Sequence, residues 1–204
     1  ISGHTEAVKL ESLIALSSRV KKLFVMDLGS GYLANERSRF EELSVNEVVR
    51  LGCPLTTFSG DKLLGGAQAG FVVGGEDLMV ELRKSPLYRA LRLGKLDIFV
   101  LEETLRSYLS GSGPRILRML SADLNSLRSR AQALKEKISG RIPCEIVEGK
   151  SAVGGGTLPD FDLPSIRLEL LVPSSEAFLK RLRKGEPVVV PSVQARNSVW
   201  KSRI

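Results

Sequence analysis

The sequence predicts an α/β fold followed by a second, α+β domain, and three observations carry that prediction. Up to about Arg92, short apolar runs that end in glycine alternate with helical patterns, the signature of an α/β sheet covered by helices on both faces. Beyond it, long amphipathic helices are followed by strands, which suits a two-layer domain. The 204 residues, 43% of them hydrophobic, can bury a core and fall between one large domain and two small ones.

Taken in order, Thr5 can cap a helix whose apolar positions Val8, Leu10, Leu13, Ile14 and Leu16 form a stripe before the basic end at Arg19, Lys21 and Lys22. "LFVMDLGSG" reads as a buried strand with Asp27 at its C-terminal end. Ser44 to Gly52 is a short helix, with Ser44 as cap, Glu47 at capping-box spacing and Gly52 as stop. "PLTTFSGD" and "GFVVGG" are two strands separated by a lysine-bearing loop. Asp97–Leu109 and Ile116–Ile138 are helical, the second with a leucine stripe through Leu120, Leu124, Leu127 and Leu134. "PCEIVEG" and "SIRLELLVP" are strands; Ile166, Leu168 and Leu170 point one way and Arg167 and Glu169 the other, predicting a half-buried sheet. "VGGGTLP" reads as a flexible connector, and Ser174 or Ser175 caps "EAFLKRLRKG". The division between the two domains is placed at 92/93, giving parts 1–92 and 93–204.

The net charge of +7 points to an anionic partner, and its distribution sharpens that. Between Glu81 and Arg141 stand 13 Lys and Arg against 6 acids. Solvated helix faces explain such a surplus, and so does RNA or a phosphate-bearing ligand. No apolar run of membrane-spanning length and no signal segment is present in the sequence, and Cys53 and Cys144 lack metal-ligand spacing. Two buried thiols in a reducing cytoplasm are expected. The single histidine, His4, reads as a helix-entry residue, and Trp200 lies in the tail.

Several chemistries compete for the glycine-rich segments. "GSGYLA" (Gly29–Ala34) fits a dinucleotide turn, but "NERSRF" is too polar to continue a buried helix and no acid closes a following strand. Ser59 and Lys62 satisfy SxxK without the companion motifs of penicillin-binding proteins, and GxxxxGK[ST] is absent. A third reading uses the unusual residues together. A strand-end lysine can hold pyridoxal phosphate, which also needs a carboxylate for its ring nitrogen and donors for its phosphate. Lys62, Asp27, Ser59 and the backbone N–H groups around Gly65 and Gly66 supply that set. An ordinary Asp-Lys turn at Asp61 and Lys62 accounts for the same residues structurally.

"DLGSG", then "FSGDKLLGGAQAGFVVG", "LYRALR" and "LEETLRSYL", resemble the bacterial selenocysteine synthases, the L-seryl-tRNA(Sec) selenium transferases, from about Gly3 to Arg183. "VGGGTLP" matches a further segment of that family. The resemblance implies pyridoxal-phosphate fold type I, aspartate aminotransferase-like, with this chain holding the second part of the large domain and a small C-terminal domain. It implies that Lys62 carries the cofactor, that Asp27 pairs with its ring nitrogen, that Asp61 is an active-site acid beside the lysine, and that Arg89 and Arg92 face the selenium donor. The implied reaction converts seryl-tRNA(Sec) to selenocysteinyl-tRNA(Sec) with selenophosphate, in a cytoplasmic homo-oligomer whose sites lie between subunits.

The sequence departs from that pattern at Ala67, where proline is expected, at Gly94, where an acid is expected, and through the tail 187–204. With Ile1 running straight into a helical pattern, the chain reads as a piece of a longer protein that lacks the family's N-terminal part and is inactive alone. Two other functions remain open: a related pyridoxal-phosphate lyase acting on small amino acids or amino sugars, and a non-catalytic RNA-binding or assembly fragment.

Overall fold

A computed structural model describes residues 8–33, 43–154, 157–172, 175–191 and 200–203. The predicted cap at Thr5, His4 and half of the tail 187–204 lie outside them. The chain divides into two compact units, one of residues 1–120 with 153–161, the other of 121–152 with 162–204.

In the first unit α1 (Leu10–Val20) leads into β1 (Val25–Gly29), followed by α2 (Val45–Arg50), β2 (Leu55–Ser59) and β3 (Gly70–Gly74). The strands form one sheet in the order β1-β2-β3, β1 parallel to β2 and β2 antiparallel to β3. The crossover through α2 is what lets β1 and β2 run parallel. Ser44 closes the predicted capping box: its hydroxyl accepts from the Glu47 N–H, and the Glu47 carboxylate accepts from the Ser44 N–H at 2.7 Å.

The sheet has two unlike faces. Met26, Leu28 and Phe58 enter buried clusters with Leu10 of α1, Val45 and Val48 of α2, Leu64, and Leu101 of α5 (Lys95–Leu109). On the other face Val25 and Val72 are 44% and 42% exposed, and Asp27, Thr57 and Ser59 share that side. Cover on both faces was expected; on this second face Leu55 is buried, and Met79 of the helix 76–84 reaches the position of Gly74 beside it. Asp27 on the same face is exposed.

Two helices not anticipated from the sequence follow β3: α3 (Glu76–Lys84) and α4 (Pro86–Ala90), with Ser85 capping the latter through its side chain. The predicted helix Ile116–Ile138 is two helices, α6 (Arg115–Leu120) and α7 (Leu124–Ile138). Asp123 ends the first run by taking an extended conformation and accepting the Ser126 N–H, so it starts a new helix instead of continuing the old one.

The second unit contains α7, α8 (Ser175–Lys184), β6 (Trp200–Arg203) and the larger parts of β4 (Cys144–Gly154) and β5 (Thr157–Leu170), which form a sheet in the order β4-β5-β6. The "VGGGTLP" connector is mostly strand: β4 extends to Gly154 and β5 starts at Thr157. Ile166 and Leu168 are buried as predicted, yet Glu169 on the opposite face is only 7% exposed, so that face is not fully solvated. Cys53 and Cys144 are free and buried, as expected.

Candidate active site

β2 runs into a tight loop, Gly60 to Ala69, that holds Lys62. The loop is closed on itself: Gly60 N–H donates to Ala69 O, Gly66 N–H to Gly60 O, and Gly65 N–H to Lys62 O. Gly60 is needed there because a Cβ would lie 2.6 Å from Ala67 O. A second turn, Gly29 to Gly31, docks against the loop, its Ser30 carbonyl accepting the N–H groups of Leu63 and Leu64 at 2.8 and 3.3 Å. Lys62 is thus carried between two short segments from the ends of adjacent strands, while Leu63 and Leu64 are buried beneath it.

Gly29 sits at φ +65°, and a Cβ on it would stand 3.9 Å from the Lys62 Nζ. The turn that ends β1 therefore brings the lysine amine to the strand end that carries Asp27. Asp27 is the register partner of Thr57 across the parallel pair. Its Oδ1 accepts the Thr57 hydroxyl at 3.0 Å and the Gly29 N–H at 3.2 Å. Among the described residues Oδ2 takes no hydrogen bond, and Lys62 Nζ forms no ion pair. Ser59, the other polar residue on this face of β2, is half-buried with its hydroxyl likewise unbonded among the described residues.

The sequence-predicted residues therefore gather in part. Asp27 and Ser59 share one sheet face, and the Lys62 amine reaches the Gly29 turn at the same strand ends. Asp61 neighbours Lys62 and is exposed. Gly65 and Gly66 are in the loop, but both amides already donate within it, and both positions serve packing. A Cβ on Gly65 would meet Pro114 and Ile116 at 2.8 Å, and one on Gly66 would meet Leu101 at 2.8 Å. Arg89 lies on α4 and Arg92 just after it; both are exposed, and their side chains make no bond among the described residues. Two contributors were missed. Thr57 was signalled by its position two residues before Ser59, hence on the same face. Tyr108 of α5, whose hydroxyl reaches the carbonyls of Leu63 and Leu64, had no local signal.

These groups make a coherent set for an aldehyde-bearing, ring-nitrogen cofactor: among the described residues, an amine without an ionic partner and a carboxylate oxygen without a hydrogen bond, with a hydroxyl and the space where Gly29 has no side chain. A basic nitrogen heterocycle meets a carboxylate, and the amine is the nucleophile that such a cofactor requires.

Fold and site together define an α/β protein with a lysine in a glycine-rich loop, its amine beside the glycine turn that follows a strand-end carboxylate. The chain belongs to the SelA family, described as L-seryl-tRNA selenium transferase, whose model matches residues 1–203. It is 38% identical over 215 residues to the L-seryl-tRNA(Sec) selenium transferase of Aquifex aeolicus (strain VF5), covering 100% of this chain and 47% of the relative. It is 35% identical over 174 residues to that of Aliarcobacter butzleri (strain RM4018), covering 83% and 39%. The chain thus spans less than half the length of these curated relatives. Among solved structures, D-glucosaminate-6-phosphate ammonia-lyase superposes with a TM-score of 0.57 at 15% identity, over 98% of this chain and 48% of that one. At that identity the likeness concerns the fold, and it agrees with the predicted fold type I α/β class.

Proposed function

We propose that this chain is the lysine-bearing part of a pyridoxal-phosphate-dependent L-seryl-tRNA(Sec) selenium transferase, converting seryl-tRNA(Sec) to selenocysteinyl-tRNA(Sec) with selenophosphate. The observation that carries the reading is the approach of the Lys62 amine to the Gly29 turn, two residues from an Asp27 whose Oδ2 takes no hydrogen bond among the described residues. The transferase name shared by the curated relatives supports it over a lyase, since the lyase likeness is one of fold alone.

In this reading Lys62 holds the cofactor covalently, Asp27 takes its ring nitrogen, and Ser59 is the donor for its phosphate. The amides of Gly65 and Gly66, assigned the phosphate from sequence, are engaged inside the loop and shape it instead. Pyridoxal phosphate supplies an electron sink that lets the seryl Cα proton and then the β-hydroxyl depart. Lys62 is the base for the Cα proton, and Asp61 beside it serves proton movement at the same centre. Arg89 and Arg92 offer guanidinium forks to selenophosphate, an anion they can grip bidentately. The basic surplus between Glu81 and Arg141 faces the tRNA backbone.

Residues 1–92 would form the cofactor-binding part and 93–204 the small C-terminal domain. A homo-oligomer is consistent with the apolar side chains left open on α5, where Leu96 and Leu109 are 82% and 89% exposed. The free thiols of Cys53 and Cys144 suit the reducing cytoplasm. Because the chain spans less than half its relatives' length, it does not complete the reaction alone.

The test is to incubate the chain with pyridoxal phosphate, reduce with borohydride and map the added mass. Modification confined to Lys62, and lost in Lys62→Ala, is expected. Labelling spread over surface lysines in a folded chain sinks the assignment.

A further inference from the structure

We propose that Thr57 is a positioning residue for Asp27, fixing the carboxylate so that Oδ2 is the oxygen presented to the cofactor's ring nitrogen. The inference rests on the proposed pairing of Asp27 with that nitrogen and adds what holds the carboxylate still.

The geometry is specific to two donors and one acceptor atom. The Thr57 hydroxyl comes from the neighbouring strand at 3.0 Å, and the Gly29 N–H from the turn that ends Asp27's own strand at 3.2 Å. Both end on Oδ1. The strand register Asp27↔Thr57 sets the first, and the positive φ of Gly29, which folds the backbone back toward the side chain two residues earlier, accompanies the second. Two donors from different directions fix the plane of a carboxylate, whose terminal torsion is otherwise soft. With one donor removed, the group can turn and exchange its oxygens. Threonine suits the post: its β-branched side chain is stiff about χ1 and favoured in strands, so the hydroxyl is held at little conformational cost.

A residue that merely fills the strand makes a different prediction. Valine has nearly the same shape and equal or better strand propensity, so Thr57→Val should then leave the site unaffected. Under the positioning role, Thr57→Val folds normally but binds pyridoxal phosphate about tenfold more weakly, the scale of one hydrogen bond to a charged group. The visible absorbance of the lysine–cofactor linkage should also titrate at higher pH. A ring proton held less firmly leaves less positive charge to oppose protonation of the linkage. Thr57→Ser, which keeps the hydroxyl, should restore affinity and midpoint toward the original values.

The experiment compares the unsubstituted chain, Thr57→Val, Thr57→Ser and Asp27→Asn by cofactor titration, by pH titration of the visible band and by mapping of reduced product, with thermal melts alongside. Thr57→Ala, which also deletes the hydroxyl, repeats the test if valine disturbs the sheet. Weaker binding and a moved midpoint in Thr57→Val and Thr57→Ala, rescued by serine, establish the role. Unchanged affinity and midpoint in those variants, with both altered in Asp27→Asn, overturn the role of Thr57 and leave the Asp27 pairing standing. An Asp27→Asn variant that matches the unsubstituted chain, or a chain that takes no label at Lys62, overturns the pairing and this inference with it.

Discussion

Tyr108 places its hydroxyl 3.2 Å from the carbonyl oxygen of Leu63 and 3.1 Å from that of Leu64, so a side chain of α5 anchors the two residues that follow Lys62. One proton serves two acceptors, and neither Leu63 nor Leu64 can turn to solvent, both being buried. The lysine loop is therefore held from above by the Ser30 carbonyl and from the side by Tyr108.

Removing that hydroxyl in Tyr108→Phe should cost about 1 kcal/mol of stability, read from denaturant unfolding. A pH dependence accompanies it. Burial, helped by the nearby Tyr32, raises the Tyr108 pKa above the ordinary tyrosine value. The unfolded chain gives up this proton near pH ~10 while the folded chain keeps it, so stability falls as pH rises beyond ~10. Tyr108→Phe should lose that alkaline decline, and an identical decline in both proteins would assign it elsewhere.

Gly31 and Gly52 both have positive φ, at 71° and 83°, but differ in surroundings. A Cβ on Gly31 would lie 2.6 Å from Ser59 O, whereas one on Gly52 meets nothing within 4 Å. Gly52→Ala should cost about 1 to 2 kcal/mol, the strain of the left-handed conformation alone. Gly31→Ala adds a backbone clash and should cost roughly twice that or more, with loss of cofactor labelling at Lys62. Equal melting temperatures for the two variants would remove the close approach as a constraint.

The capping box at Ser44 is buried and joined at both ends, so Ser44→Ala should destabilise the chain by about 1 kcal/mol and Ser44→Gly by less. Hydrogen exchange in α2 reports it directly, and uniform exchange through α2 in both variants would show that packing of Val45 and Val48 alone secures the helix.

Arg89→Lys and Arg92→Lys keep the charge and lose the planar fork. If these residues grip a phosphate-like anion bidentately, each lysine variant should bind inorganic phosphate about fivefold to tenfold less tightly by calorimetry on the cofactor-loaded chain. Unchanged affinity in the double alanine variant would return both to the solvated surface.

Much of the first unit was legible because its signals are local. An apolar run closed by glycine gave β1, a serine three residues before a glutamate gave α2, and the Ser-Gly-Asp-Lys string marked the loop. The break between α6 and α7 was not read because Leu120, Leu124 and Leu127 keep helical spacing across it; only Asp123, as a cap, betrays it. α3 and α4 carried their own signals, acids at Glu76 and Asp77, bases at Arg83 and Lys84, then Ser85–Pro86, but little burial to make a stripe. Asp27, Ser59 and Lys62 could be nominated from residue type. The face of Thr57 was readable from its spacing to Ser59, but its bond to Asp27 and that of Tyr108 to Leu63 were not, since those partners are 30 and 45 residues away and only the register and the α5 packing bring them together.

The distance from Leu63 to Tyr108 also has a meaning in time. A ribosome releases a chain from its N-terminus, and at 5–20 residues per second the 45 residues between them take about 2 to 9 s to make. Through that interval the glycine turn and both strands exist, but the lysine loop has no anchor for its two carbonyls. The lysine loop is thus synthesised early and secured late, and the first unit acquires its finished loop anchor only when α5 has emerged.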